Sequence, residues 1–378
     1  MKILLVPSSY SPAVGGVEAL TANLANTLQR SGHQVEVWTY QVEGRPAVES
    51  IDDVTVRRFP FRLPSRAGLR ISIAREMAGT LLSLRHAAKD FLPDIIHVQC
   101  FSGNGVYATA LAMATRRPLI VTLQGETIMD DHKIYDRSAL LRLALRGAAR
   151  TAFATTACSS FTLDHAVNQI GVRPRRSEVI YNGVDLAVEE EPVSLPERPY
   201  FASLGRVVHN KGFDLLLDAF HRFASEELAT DLVIGGTGPA LDSLEQACKQ
   251  KGIAERVHFV GSLRPGQVAT LLRSSRALVV PSRVEPFGIV VLEGWRAAVP
   301  VVATSCGGPP EFVDEGVTGY LVDPTDTAEL ASTLRRLSED SDLRAAIGSA
   351  GKARLAKFSW ESISSQYEAL YSSAVKSQ

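Results

Sequence analysis

The chain has 378 residues, with 40 lysines and arginines against 41 aspartates and glutamates, so its formal net charge is −1. This balance excludes a generally basic protein that binds nucleic acid, and the 45% of hydrophobic residues exclude disorder over most of the chain. The length favours about two domains. The four cysteines lack the spacing of a zinc site or a disulfide framework, which indicates a reducing compartment. The amino terminus predicts a strand instead of a signal peptide, and no apolar run is long enough to span a membrane, so we expect a cytoplasmic protein.

The first half alternates short apolar runs, typical of buried strands, with helical patterns. After the first run, Gly15 and Gly16 open a helix that has leucines at four-residue intervals and ends at Gly32. Short apolar strands separated by helices form parallel sheets covered on both faces, so residues 1–185 predict an α/β domain. The predicted strands are Lys2–Val6, Gln34–Thr39, Pro93–Val98, Pro118–Leu123, Ala152–Ala157 and Glu178–Tyr181.

A change of composition marks the boundary between the domains. Residues 186–199 hold four Glu and three Pro with little periodicity and predict a linker. The alternation resumes over residues 200–358, and a final amphipathic helix occupies about 359–378. Two doubly wound, Rossmann-like domains facing each other would bind ligands in the cleft at the carboxyl ends of their strands. The strands predicted in the second half are Tyr200–Leu204, Asp231–Ile234, Val257–Val260, Ala277–Val280 and Val299–Ala303.

Six arginines fall between positions 57 and 75 with no acidic residue among them, and apolar residues are interleaved with them. Such a segment can bind an anionic membrane surface or an acidic acceptor, and Arg62, Arg66 and Arg70 are the candidates for this contact. The alternative is a solvated loop and helix face, because runs of charge are usually solvated.

Two glutamates eight positions apart follow the fourth predicted strand of the second half. Glu285 begins the sequence E-P-F-G, and Glu293 lies about two turns into the helix predicted from Phe287 onward. Carboxylates accept hydrogen bonds from sugar or ribose hydroxyls, and the N–H groups at a helix start bind phosphate or sugar oxygens. An isolated pair of glutamates would more often be surface charge, but the combination with E-P-F-G favours a binding site.

Two cations and several glycines also follow predicted strands. Arg206 and Lys211 lie in G-R-V-V-H-N-K-G, where they suit a diphosphate leaving group that gains negative charge as its bond breaks. Gly236, in G-G-T-G-P, permits close backbone approach but lacks the spacing of a dinucleotide fingerprint. Gly15 and Gly16 form a further glycine loop before a helix.

These motifs, in this order, resemble the family 4 glycosyltransferases, which are retaining enzymes with the GT-B fold. The resemblance covers nearly the whole chain and includes Y-N-G-V-D at 181–185 and G-G-P-P-E at 307–311. It implies transfer of a sugar from a nucleotide diphosphate to an acceptor hydroxyl. The domain at 1–185 would bind the acceptor, the domain at 200–358 would bind the nucleotide sugar, and the final helix would cross back to the first domain.

The resemblance also implies roles for individual residues. Arg206 and Lys211 would hold the diphosphate, Glu285 would hydrogen-bond the donor sugar, and Glu293 would bind the ribose. No metal and no cofactor are implied, since the two cations neutralise the developing charge. The other donor-binding residues so implied are Gly15, Gly16, Gly236, Phe287, Gly288 and Ile289, with Val260, Ser262 and Leu263 near the base.

The chain departs from the family in its first half. In V-T-L-Q-G-E, Gln124 stands where the family commonly has a histidine facing the donor sugar. Glutamine donates and accepts hydrogen bonds but cannot transfer a proton near neutral pH, so Gln124 would orient the sugar without imidazole chemistry. His97 begins a segment where the family often shows H-x-H, and the second histidine is missing. We interpret His97 as a structural residue.

The leading hypothesis is a retaining glycosyltransferase that uses a UDP- or GDP-linked sugar. Its acceptor would be a lipid-linked or otherwise anionic sugar of a cell-envelope polysaccharide or glycolipid pathway, with possible peripheral contact with the inner face of the membrane. A soluble small-molecule or natural-product acceptor is the main alternative. A non-catalytic nucleotide-sugar-binding protein would fit the missing histidine. An epimerase would need acid and base groups that the motifs lack, and a dehydrogenase would need a fingerprint after the first strand.

Overall fold

The computed structural model describes residues 1–13, 15–64, 71–129, 134–225 and 229–377, and of residues 71 and 72 it describes the backbone alone. The chain divides into two compact units, Met1–Gly183 with Trp360–Gln378, and Val184–Ser359. Each unit is built around one largely parallel sheet with helices on its faces. The predicted α/β class with two Rossmann-like sheets is therefore confirmed.

An eight-stranded sheet forms the centre of the first unit, in the order β3-β4-β2-β1-β5-β6-β7-β8. All neighbours are parallel except β3 and β4, which are antiparallel. Strands β5 and β6 are buried along their whole length, which explains why they read as continuous apolar runs. The strands are β1 (Lys2–Pro7), β2 (Gln34–Tyr40), β3 (Val48–Ile51), β4 (Val54–Phe59), β5 (Ile95–Gln99), β6 (Leu119–Leu123), β7 (Ala154–Ala157) and β8 (Ser177–Val179). The helices are α1 (Gly16–Arg30), α2 (Ile71–Phe91), α3 (Gly103–Thr115), α4 (Ile134–Arg137), α5 (Ala139–Thr151), α6 (Ser160–His165) and, returning at the end of the chain, α13 (Trp360–Lys376).

A six-stranded parallel sheet forms the centre of the second unit, in the order β11-β10-β9-β12-β13-β14. Its strands are β9 (Tyr200–Leu204), β10 (Asp231–Gly235), β11 (Val257–Gly261), β12 (Leu278–Val280), β13 (Val301–Thr304) and β14 (Tyr320–Val322). The helices are α7 (Phe213–Ala224), α8 (Leu241–Gln250), α9 (Pro265–Arg273), α10 (Ile289–Arg296), α11 (Thr327–Glu339) and α12 (Ser341–Arg354).

Strands β3, β4 and β14 were not predicted from the sequence. The first two form a hairpin whose turn residues, Asp52 and Asp53, have φ values of 48° and 63°. Two positive φ values match the right-handed twist of the strands, but Asp-Asp is a weaker sequence signal for such a turn than Asn-Gly. Arg57 and Arg58 also interrupt the apolar pattern of β4 that would predict a strand.

Those arginines, at the start of the basic segment, form ion pairs within the first unit. Arg57 Nε lies 2.9 Å from Glu36 Oε2, and Arg58 Nη2 lies 2.6 Å from Glu49 Oε1. Arg58 is only 4% exposed. The segment contains no acidic residue of its own, but neighbouring strands supply the carboxylates.

Of the three arginines predicted to contact a membrane or an acceptor, the structure describes only one. Arg62 is exposed, and its guanidinium lies 3.4 Å from the carboxylate of Glu76. Arg66 and Arg70 lie outside the described residues. Within the described ranges, no helix combines the length and hydropathy needed to cross a membrane.

Residues 186–199 belong to the second unit and contain no helix or strand. Glu191 fixes this segment along α9, because its N–H donates to the carbonyl of Gly266 and its carbonyl accepts from Thr270 Oγ1 at 2.8 Å. The Glu191 carboxylate also accepts from Arg264 Nε at 2.6 Å. Glu191 therefore attaches the segment to the second unit, and the role of residues 186–199 as an interdomain linker stays a prediction.

Candidate active site

Four loops leave the second sheet at the carboxyl ends of β9, β10, β12 and β13, and glycines let them touch. A Cβ on Gly236, whose φ is 133°, would lie 1.8 Å from the carbonyl oxygen of Gly205. A Cβ on Gly307, whose φ is 129°, would lie 2.1 Å from the carbonyl oxygen of Glu285. Only glycine permits these approaches. This edge of a parallel sheet is where α/β proteins bind their ligands.

Glu285 lies at the centre of this edge and is held by two side chains. Its Oε2 accepts hydrogen bonds from Lys211 Nζ at 2.6 Å and from Ser282 Oγ at 2.7 Å. Glu285 is 5% exposed and Ser282 is fully buried, whereas the Lys211 side chain is 17% exposed. The fold thus brings together two predicted site residues that are 74 positions apart, and it adds Ser282, which the sequence analysis missed.

The backbone around Glu285 is also fixed. Its N–H donates to the carbonyl of Cys306, and its carbonyl accepts from the N–H of Gly308 at 2.8 Å. The loop after β13 therefore holds the loop after β12.

The signal that could have identified Ser282 is its position, because polar residues directly after a buried parallel strand lie at the binding edge.

Helix α10 begins beside this cluster. Its N-cap is Gly288, with φ of 92°, and no side chain caps its first turn. The first N–H groups of a helix have no partner within the helix, so those of Ile289 and Val290 can bind an anion, whereas the N–H of Val291 donates to the carbonyl of Gly288 at 2.9 Å. Phe287 is 3% exposed and packs on Phe312 with ring centroids 4.9 Å apart, so it can contact a ligand only through its backbone.

Glu293 lies on α10 and is partly buried. Burial raises the pKa of its carboxyl, and the charge of Arg296 opposes this rise. No side chain or backbone group in the described part of the chain forms a hydrogen bond with the Glu293 carboxyl group. Its oxygens can therefore accept hydrogen bonds from ligand hydroxyls.

The remaining donor-site predictions in the second unit lie at the same sheet edge. Arg206 is exposed in the loop after β9. Leu263 and Val260 lie at the end of β11, where a Cβ on Gly235 would be 3.0 Å and 3.7 Å from their side chains. Ser262 is exposed between them.

In the first unit, Gly15 and Gly16 lie at the start of α1. Gly15 is extended, with φ of −179°, so its backbone conformation does not itself require glycine. A Cβ there would lie 2.6 Å from a carboxylate oxygen of Glu18, so this flexible side chain would have to move.

Gln124 follows β6 and is held on two sides. Its Nε2 donates to Gln99 Oε1 at 3.1 Å, and its N–H donates to Glu126 Oε2 at 2.7 Å. Glu126, also missed from the sequence, accepts the N–H of Phe101 at 2.7 Å through its other oxygen. Burial raises the pKa of Glu126, and these backbone N–H groups oppose the rise.

His97 is fully buried, and both ring nitrogens are bonded. Nδ1 lies 2.6 Å from the hydroxyl of Tyr371, and Nε2 lies 2.6 Å from Thr122 Oγ1. Burial lowers the pKa of His97 to about 3, so the ring is neutral at physiological pH. The contacts support the interpretation of His97 as structural.

No group of three or more His, Cys, Asp or Glu side chains in the described ranges is arranged to hold a metal ion.

Two family models match consecutive parts of the chain. "Glycosyltransferase Family 4" matches residues 14–188, and "Glycosyl transferases group 1" matches residues 188–354. The chain therefore belongs to the family 4 glycosyltransferases.

Curated relatives align over the full length. An uncharacterized glycosyltransferase from Methanocaldococcus jannaschii is 29% identical over 393 residues, covering 100% of this chain and 99% of the relative. A glycogen synthase from Mycobacterium tuberculosis is 26% identical, covering 100% of this chain and 96% of the relative.

Solved structures share the fold. Sucrose-phosphate synthase from Thermosynechococcus elongatus gives a TM-score of 0.81 at 20% identity, with 100% of both chains covered. HepE from Anabaena, in complex with UDP, gives a TM-score of 0.78 at 24% identity, covering 99% of this chain and 100% of that one. These likenesses identify the GT-B fold.

Proposed function

We propose that this glycosyltransferase transfers a sugar from a UDP- or GDP-linked donor to an acceptor hydroxyl, with retention of the anomeric configuration. The observation that carries the proposal is the contact of Glu285 with Lys211 and Ser282 at the edge of the second sheet. This contact places a cation and a carboxylate beside the uncapped start of α10.

The buried ion pair supports a binding role over a stabilising one. Taking Lys211 and Glu285 out of water is costly, and replacing such a pair by apolar side chains is often neutral or stabilising for a fold. We infer that Lys211 is held in place to meet the anionic donor.

The diphosphate would be bound by charge and by backbone. Lys211, Arg206 and the first N–H groups of α10 would neutralise the negative charge that develops on the leaving phosphate. Under this proposal the two cations supply that charge, so neither a metal nor a cofactor takes part.

The two glutamates would bind hydroxyl groups. Glu285 keeps Oε1 for the donor sugar while Oε2 is engaged, and Glu293 would accept from the ribose. Because Glu285 is fixed by Lys211 and Ser282, we assign it a positioning role and not that of a covalent nucleophile. We therefore expect same-face attack, with the leaving phosphate helping to deprotonate the acceptor.

For the acceptor we propose a sugar of a cell-envelope polysaccharide or glycolipid, bound by the first unit at the cytoplasmic face of the membrane. The proposal is supported by the positive net charge of the first 185 residues, which hold 21 Lys and Arg against 16 Asp and Glu and would attract an anionic acceptor or membrane. Reversing the charge of Arg62, Arg66 and Arg70 should abolish binding to anionic liposomes. Unchanged binding would contradict the membrane contact.

A donor screen tests the proposal. UDP-glucose, GDP-mannose, ADP-glucose and dTDP-glucose are compared by thermal shift, since a ligand at 100 times its Kd stabilises by about 2.7 kcal/mol. Each is then incubated with the enzyme, and the release of nucleotide diphosphate is followed. We expect one nucleotide to stabilise the protein and its sugar to be released slowly as the retained anomer. Release of the inverted anomer would contradict retention, and stabilisation by none would contradict the donor site.

The variant Arg206→Met tests the role of this cation in catalysis. Because Arg206 is exposed, we expect its replacement to leave folding unchanged. Losing one group that stabilises developing charge should lower kcat about 100-fold or more, with little change in Tm. Arg222→Met, an exposed arginine on α7, is the matched control and should keep the activity of the parent. Equal activity of both variants would remove Arg206 from the mechanism.

A further inference from the structure

A pocket of about 360 Å³ opens in the first unit where three parallel strands begin. Arg117 lies two residues before β6, Phe153 directly before β7, and Arg175 two residues before β8. Because these strands are parallel, their amino ends lie at one edge of the sheet. Gln124 follows the opposite end of β6, and the five residues of this strand span roughly 16 Å. The pocket is therefore separate from the residues at the carboxyl end of the same sheet.

Positive charge is concentrated around this pocket. Its lining includes Arg116, Arg117 and Arg175, and no Asp or Glu is among the described lining residues. Helices α3, α5 and α13 end here, and each helix end carries about half a negative charge. One basic residue meets each end, because Arg116 is the C-cap of α3 and Arg150 and Lys376 lie in the last turns of α5 and α13. Arg117 and Arg175 therefore add positive charge that no helix end balances.

These two additional arginines have no partner in the described ranges of the chain. Neither side chain forms a hydrogen bond or an ion pair there, and Arg117 is half-buried whereas Arg175 is exposed. The neighbouring Arg176 differs, since its Nε donates to Glu178 Oε1 at 2.7 Å and its guanidinium lies over the ring of Phe153. A guanidinium presents a fork of N–H donors that matches a phosphate group. Two of them beside one pocket indicate a site for phosphate.

Hydroxyl groups and an apolar side chain line the rest of the pocket. Thr109 Oγ1 donates to the carbonyl of Gly105 at 2.7 Å, and Ser377 Oγ donates to that of Ser373 at 2.8 Å. Because each hydroxyl hydrogen is used by a nearby carbonyl, the remaining lone pairs of the oxygen can accept from a ligand hydroxyl. Met113, which is 67% exposed, adds an apolar surface. The lining thus matches a ligand that has hydroxyl groups as well as a phosphate.

We propose that this pocket binds a small soluble ligand that carries a phosphate group and hydroxyl groups, such as a phosphorylated polyol. Arg117 and Arg175 would hold the phosphate, and Thr109 and Ser377 would accept from the hydroxyls. The volume lies within the roughly 300–1,000 Å³ of pockets that bind small molecules. The site uses residues of the first unit alone and goes beyond the proposed function.

Isothermal titration calorimetry with glycerol 3-phosphate tests the proposal. We expect this probe to bind more tightly than inorganic phosphate, and glycerol not to bind. Arg175→Met should weaken its binding about 10-fold or more, because a charge-assisted hydrogen bond is lost. Arg85→Met, which replaces an exposed arginine on α2, is the matched control and should leave the affinity unchanged. No binding to the parent, or equal binding to the parent and to Arg175→Met, would overturn the proposal.

Two further arms distinguish other sites and other sources of phosphate. Arg206→Met should keep the affinity for glycerol 3-phosphate, because Arg206 belongs to the second unit. Loss of binding in Arg206→Met but not in Arg175→Met would place the phosphate at the proposed donor site and overturn the proposal. Vesicles of phosphatidylglycerol are compared with vesicles of phosphatidylcholine by sedimentation. Binding to the anionic vesicles that requires Arg175, without binding of glycerol 3-phosphate, would identify a lipid headgroup and also overturn it.

Met113 reports binding at the pocket directly. The chain has four methionines, so enzyme labelled with 13C in its methionine methyl groups gives few signals, and the Met113 signal is assigned by its loss in Met113→Leu. We expect glycerol 3-phosphate to shift this signal and to leave that of Met77, on α2, unchanged. An unshifted Met113 signal at a saturating concentration of the probe would exclude this pocket. None of these measurements depends on sugar transfer, so they stand even if the proposed function fails.

Discussion

His97 should couple the stability of the first unit to pH, and His97→Gln tests this coupling. Burial lowers the pKa of His97 from 6.5 to about 3 in the folded protein. In the unfolded chain the imidazole regains its ordinary pKa, so the unfolded state binds a proton more readily. The stability contributed by the neutral ring is therefore complete above pH 6.5 and is lost as the pH falls toward 3.

The magnitude follows from the difference between the two pKa values. One pH unit corresponds to about 1.4 kcal/mol, so the interval from 6.5 to about 3 corresponds to roughly 5 kcal/mol. Between pH 7 and pH 5 the loss is about 2 kcal/mol, which is large beside the roughly 5–15 kcal/mol that stabilise a typical protein. His97→Gln should be less stable at pH 7 by about 1–3 kcal/mol but should lack this pH dependence.

Urea unfolding followed by tryptophan fluorescence measures the effect. Trp38 and Trp360 belong to the first unit and Trp295 to the second, so a Trp295→Phe background reports on the first unit alone. The free energy of unfolding should fall by about 2 kcal/mol more in this background than in its His97→Gln variant between pH 7 and 5. The exposed His86, changed to Gln, is the control and should leave the slope unaltered. Equal slopes with and without His97 would refute the reasoning.

Three further predictions concern the second unit. Ser282→Ala removes a 2.7 Å hydrogen bond to Glu285 and should lower kcat/KM for donor hydrolysis about tenfold, whereas unchanged kinetics would separate Ser282 from the site. Gly307→Ala places a Cβ 2.1 Å from a carbonyl oxygen at a φ of 129°, so it should destabilise the second unit by about 2 kcal/mol or more in urea unfolding monitored at Trp295. Burial alone would raise the pKa of Asp214, but the hydrogen bonds and charge of Arg283 prevail and lower it below its usual 3.8. Asp214→Asn should therefore cost up to about 1 kcal/mol at pH 6 and less as the pH falls below 3.8, and a deficit independent of pH would contradict this pairing.

The sequence predicted most of the second sheet because its signals are local. The five predicted strands agree with β9 to β13 within about two residues, since buried parallel strands read as short apolar runs bounded by glycine or proline. In the first unit the sequence did not predict β3 and β4. Their hairpin has a weak turn signal, and its arginines are neutralised by Glu36 and Glu49 from outside the segment.

In the candidate site, too, the sequence predicts the local features and the tertiary structure decides the contacts. The strand ends, the glycines beside them and the order of the motifs follow from the sequence alone, and these were sufficient to indicate the family. The partners of each side chain do not follow from it, because they depend on which strands become neighbours. Lys211 meets Glu285 across 74 positions and His97 meets Tyr371 across 274, and neither contact has a local signal. Ser282 acquires its importance in the same way, since burial and the contact with Glu285 orient a side chain that the sequence shows only as polar.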